Sequence, residues 1–109
     1  MTTTPTPSND LCQLDALELS ATIHRRDASC REVMQAFLAR IGKLNAQANA
    51  IVSMRDEADL LAQADVCDTL LSRGESLGWM HGFPHAVKDL EQTAGIVTTW
   101  GSPLFRDHV

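Results

Sequence analysis

Gly82-Phe83-Pro84-His85-Ala86-Val87-Lys88-Asp89-Leu90 combines two helix breakers with an apolar run that closes on a charged pair. Gly82 and Pro84 exclude a helix, so His85 to Leu90 can be only a short strand or an extended loop. A turn at Ala94-Gly95 separates this piece from a second extended one, Ile96-Val97-Thr98-Thr99-Trp100, which runs into Gly101-Ser102-Pro103. On chemistry alone the Lys88-Asp89 dipeptide is a weak signal, because most lysines are surface charges.

Upstream the texture is helical. Asp15 with Glu18 and Ser29 with Glu32 have the spacing of capping boxes, in which each side chain satisfies the other residue's backbone amide. Leu14, Leu17 and Ala21 fall at helical spacing after the first box. Val33, Phe37, Ile41 and Leu44 make a stripe after the second, flanked by Met34 and Leu38, with Asn45 as the helix stop. Ala50-Ile51-Val52-Ser53-Met54 reads as a short strand rich in β-branched residues. Leu60, Ala64, Cys67 and Leu71 then mark a third helix, closed by Arg73 and a C′ glycine, Gly74. Met1–Asp10, rich in Thr, Pro and Ser, is expected to be a disordered tail (1–10) ahead of one ordered unit, 11–109. The order of helices and strands predicts an α/β protein with helices laid on a sheet.

Composition narrows the function. Fourteen acidic against nine basic side chains give a net charge of −5, and the basic residues are scattered apart from Arg25-Arg26, so no nucleic-acid partner is expected. No stretch reaches the ~20 apolar residues that cross a bilayer, and the start lacks the basic and apolar regions of a secretory signal; no membrane partner is expected, and the cytoplasm is the expected compartment. Cys12, Cys30 and Cys67 are odd in number and lack C-x-x-C spacing, which reads as free apolar thiols rather than a disulfide scaffold or zinc site. His81 and His85 cannot share a helix face across Gly82 and Pro84, so they read as loop and strand-end histidines, not metal ligands. Asp56, Glu57, Asp59, Asp65 and Asp68 alternate with Leu60, Leu61, Ala62 and Ala64, which reads as the solvated face of an amphipathic helix rather than paired-carboxylate catalysis. Neither a dinucleotide-binding fingerprint nor a P-loop occurs.

The Gly82-to-Leu90 string, followed by Ala94-Gly95 and Thr98-Thr99-Trp100-Gly101-Ser102, resembles the amidase-signature pattern G-(I/F)-P-x-x-x-K-D with its following A-G-x-x-T-T-x-G-S. Glu18-Leu19, Leu44-Asn45, Asn49-Ala50 and Ala62 to Ala64 are similar to the same family's N-terminal region, so the resemblance covers everything after the tail. Phe83 and Leu90 stand where many members have Ile and Asn. The resemblance implies the N-terminal helices and first strands of an α/β fold with a mixed central sheet covered by helices, incomplete in this chain. It implies a Ser, cis-Ser, Lys triad in which Lys88 is the lysine, a small-molecule amide substrate, and neither metal nor organic cofactor. A neutral amine can take a proton through an intervening hydroxyl, and burial is what lowers a lysine pKa toward neutrality. The family's glycine- and serine-rich segment would follow Val109, and no Gly-Gly-Ser-Ser string occurs here. The chain alone is therefore expected to be a truncated, inactive amidase prone to self-association, with a non-catalytic binding or interaction module as the alternative.

Overall fold

The computed structural model describes residues 10–89 and 91–109. The expected tail lies outside the described residues except for Asp10, which opens a 3-10 turn, Asp10–Gln13. Three helices follow: α1 (Ala16–His24), α2 (Cys30–Ala48) and α3 (Glu57–Ser72). A second 3-10 turn, Pro103–Phe105, lies near the C-terminus.

Both capping boxes form. The Asp15 carboxylate accepts from the Glu18 amide at 2.8 Å, and the Glu18 carboxylate accepts from the Asp15 amide at 3.2 Å. Ser29 and Glu32 do the same at 2.9 and 3.0 Å. Helix α2 carries a further cap from outside. The two oxygens of Asp68, on α3, accept from the Cys30 and Arg31 amides at 2.7 and 3.1 Å, so the first three amides of α2 all find carboxylate or hydroxyl partners. This bond, with the Arg31–Asp65 ion pair at 2.7 Å, brings the start of α2 to the later half of α3 and makes the two helices antiparallel. Asp68 thus leaves the group read as a solvated acidic face, while Asp65 stays exposed. Helix α3 ends as expected, on Gly74 at φ +75. The Gly74 and Glu75 amides donate to the Leu71 and Leu70 carbonyls in a Schellman closure.

The core is built from Leu11, Leu19, Ile23, Ala28, Cys30, Val33, Ala36 and Ala64. Two sequence expectations shift. Leu17, placed with Leu14 and Ala21 on the buried stripe of α1, is 77% exposed, and Leu19 with Ile23 is buried in the core instead. Two apolar faces compete on this helix, and the one with the pair of large side chains at i and i+4 buries more surface. Asn45 does not stop α2. The helix continues to Ala48 and stops at Asn49, which takes the left-handed conformation at φ 49 that asparagine tolerates.

The expected strands are a correction. Among the described residues no strand forms at 50–54, 85–89 or 96–100; Leu90 lies outside them. A strand exists only as half of a hydrogen-bonded ladder, and these segments share no backbone–backbone hydrogen bond. The backbone groups of Ile51 are taken by the side-chain amide of Asn45, whose Nδ2 donates to the Ile51 carbonyl and whose Oδ1 accepts from the Ile51 amide, both at 2.9 Å. Thr98 donates to the His108 carbonyl at 2.8 Å. The radius of gyration, 15.2 Å, exceeds the roughly 13 Å of a compact domain of this length.

Candidate active site

The Gly82–Lys88 segment is anchored at its start by His81, only 2% exposed. Its Nδ1 accepts from the Leu77 amide at 3.0 Å, which leaves the proton on Nε2, and that nitrogen donates to the Cys67 carbonyl at 2.9 Å. His81 is a satisfied core histidine and His85 is exposed, so the pair does not converge. Among the described residues no three His, Cys, Asp or Glu side chains are grouped to hold a metal. Gly82 follows at φ +77, with its Cα so close to Cys30 that a Cβ would overlap the sulfur. This position demands glycine twice, for its dihedral and for the contact.

Burial, first of all, pushes the Cys30 thiol up to about 12, with Asp68 adding to the effect, and burial raises Cys67 and Cys12 as well. All three cysteines are free. None is a thiolate nucleophile near neutral pH.

Beyond Pro84 the chain runs along a groove of about 400 Å³, with Phe37, Ile41, Ile51, Leu60 and Val97 among its apolar walls and Lys88 on its lining. Phe37 and Ile41 of the α2 stripe line this groove, and Phe37 also packs against the core. Lys88 itself is exposed. The apolar enclosure expected around it is not built by the described residues; Val87 beside it is 46% exposed.

Asp89 makes the contacts that order this segment. One carboxylate oxygen accepts from the Thr99 amide at 2.8 Å and the other from the Thr99 hydroxyl. That hydroxyl in turn accepts from the Gly101 amide at 3.2 Å. The Thr99 hydroxyl first, then the Thr99 amide, holds the Asp89 carboxyl below the usual aspartate range. Between them, Trp100 (φ 50) and Gly101 (φ 73) both adopt positive φ, and the Ser102 amide closes the turn on the Thr99 carbonyl at 2.9 Å. This is the backbone pattern of a type I′ turn. A tryptophan there costs about 1 kcal/mol or more, offset by its ring packing at 5.0 Å against both Phe105 and His108. The preceding turn is held from the other side. Arg55 pairs with Asp59 at 3.1 Å and donates to the Ala94 carbonyl at 2.7 Å, and a Cβ on Gly95 would come within 3.0 Å of its guanidinium.

The structure therefore brings together Lys88, Asp89 and the Thr98–Ser102 segment that sequence had set side by side. The roles of Thr99, Arg55 and Asn45 were not visible in sequence, because a single hydroxyl, guanidinium or amide carries no local signature of a partner six to thirty-nine residues away.

Comparison with known proteins bears on the same stretch. The family model described as Amidase matches residues 32–109. The chain is 34% identical over 101 residues to a Glutamyl-tRNA(Gln) amidotransferase subunit from Neorickettsia sennetsu, covering 93% of this chain and 21% of the relative. It is 39% identical over 98 residues to the corresponding subunit from Salinispora tropica, with 90% and 20% covered, and 41% over 96 residues to that from Cutibacterium acnes, with 88% and 19% covered. The chain thus spans about one fifth of the length of these curated relatives. No solved structure matches it. A family match over most of the chain, including the whole Gly82–Ser102 motif, leads to one assignment: this chain belongs to the amidase family, marked by the amidase signature.

Proposed function

We propose that this chain is the lysine-bearing part of an amidase that hydrolyses a small-molecule carboxamide or transfers its acyl group, and that Lys88 is the lysine of a Ser, cis-Ser, Lys triad. The observation that carries the reading is the register of Gly82, Pro84, Lys88 and Asp89 with Thr98, Thr99, Gly101 and Ser102 inside the matched region. In the working enzyme the lysine, uncharged, receives the nucleophile's proton through the bridging serine and later returns it to the leaving amine. Further polypeptide closing over the groove would remove water from Lys88 and favour its neutral form. The 109 residues contain no Gly-Gly-Ser-Ser string, and without a nucleophile and oxyanion donors they turn over no amide by themselves. Three free thiols fit the reducing cytoplasm.

The relatives' name, which describes one subunit of an amidotransferase, favours a second form of this reading, in which the protein works beside other subunits and passes the amide nitrogen on. Free ammonia measured with and without a co-purifying partner separates the two forms. The test of the shared core is substitution in the full amidase polypeptide. Lys88→Ala is expected to lower acylation by orders of magnitude with the fold intact, and Lys88→Arg to fail as well because a guanidinium stays protonated. An active Lys88→Arg enzyme would make Lys88 structural.

A further inference from the structure

Asp89 adjoins Lys88, and its carboxylate is engaged with a residue ten positions on. It accepts both the amide and the hydroxyl of Thr99, and the same hydroxyl accepts the Gly101 amide. The Lys88 carbonyl meanwhile accepts from the Glu91 amide at 3.0 Å. The backbone around Lys88 is therefore tied at two points, one to its own turn and one to the 99–102 turn. That second turn holds two successive positive-φ residues, one of them a tryptophan. A conformation this unfavourable persists only where its surroundings over-determine it, and such strain gathers at functional sites. Asp89 with Thr99 is the polar contact that joins the residue after Lys88 to that turn. Asp89 directly follows Lys88 in this turn, so clamping its carboxylate fixes the backbone from which the Lys88 side chain starts.

We propose that Asp89 is a positioning residue for Lys88: through Thr99 it locks the Lys88 backbone onto the 99–102 turn and so aims the amine at the reacting centre. This rests on the reading of Lys88 as the triad lysine. The amine would contribute to proton transfer only within hydrogen-bond reach of the bridging hydroxyl, and a misplacement of about 1 Å costs on the order of a hundredfold in rate. The contact made by Asp89 acts on placement alone, so it should appear in kcat and leave substrate affinity nearly untouched.

The test measures kcat, KM and melting temperature of the full amidase polypeptide carrying Lys88→Ala, Asp89→Ala, Thr99→Val, Thr99→Ser and the double change Asp89→Ala with Thr99→Val. Asp89→Ala should lower kcat about 100-fold and Thr99→Val about 10-fold, with KM held within about twofold. Thr99→Ser, which keeps both contacts, should restore wild-type kcat. The double variant should be no slower than Asp89→Ala alone, since the two residues act as one unit. Hydrogen exchange at the Gly101 amide in the 109-residue chain should accelerate in Thr99→Val and not in Thr99→Ser. Wild-type kcat in both Asp89→Ala and Thr99→Val, beside an inactive Lys88→Ala, would overturn the positioning role and leave the triad reading standing. Losses of kcat that merely follow loss of folded protein would overturn it too. Turnover surviving Lys88→Ala would instead overturn the triad reading, and this inference with it.

Discussion

Gly82 shows how much can rest on a missing side chain. Its positive φ and its contact with Cys30 mean that Gly82→Ala introduces backbone strain and a steric overlap together. The expected cost is about 2–4 kcal/mol, read from denaturant unfolding. Trimming the neighbour in the same molecule, Cys30→Ala, should relieve the overlap and leave the dihedral strain. The double variant is therefore expected to lose less than the two single losses added together; strict additivity would mean the two residues do not meet. The glycine of the signature motif is thus used here for packing, some distance along the chain from the lysine it precedes.

Among the elements, caps divide into those a reader of the sequence can find and those only a structure reveals. Asp15 with Glu18 and Ser29 with Glu32 were legible because both partners lie within one helical turn. Asp68 was not, because its partners, the Cys30 and Arg31 amides, lie 38 and 37 residues away. Periodicity put it correctly on a charged face, but periodicity says nothing about what that face meets. The strands failed for the same reason in reverse. Ile51, Val87 and Val97 carry β-branched residues in short runs, yet propensity without a ladder partner leaves only extended chain. Lys88-Asp89 was legible by resemblance, while the Thr99 clamp and the exposure of Lys88 were not. Two expectations follow at this scale. Asp68→Asn keeps one acceptor and loses the charge facing the α2 N-terminus, and should cost about 1 kcal/mol or more in thermal or denaturant unfolding. The Glu18 amide, above all, holds the Asp15 carboxyl below its ordinary value. Because the folded-state pKa is depressed, this cap stabilises α1 fully above the unfolded aspartate value of about 3.9, and the contribution disappears as pH falls through the lower folded value. The Glu18 amide resonance followed by NMR during acid titration should move with that lowered midpoint, and in Asp15→Asn it should not.

Taken whole, the molecule has a small helical core and a large apolar remainder. Leu104 is 89% exposed, Leu77 76% and Trp79 56%, while the groove beside Lys88 stays open between α2 and the extended segments. Surface of this kind promotes association, and a core of this size resists it weakly. The 109-residue chain alone is expected to bind a hydrophobic dye, to sediment as a mixture of species and to melt broadly. A monodisperse monomer with a sharp transition and no dye binding would favour the independent interaction module over the part of a larger amidase.

The cap from Asp68 also sets an order of events in time. When α2 leaves the ribosome its first two amides have no protein partner, and they gain one only after 37 or 38 more residues have been made and α3 has folded back beside it. Until then the leading end of α2, which carries Cys30 and Val33 into the core, has only the Ser29–Glu32 box to cap it. Core closure and completion of α3 are therefore one step in synthesis, and a pause between codons 48 and 68 would leave the apolar face of α2 open for as long as the pause lasts.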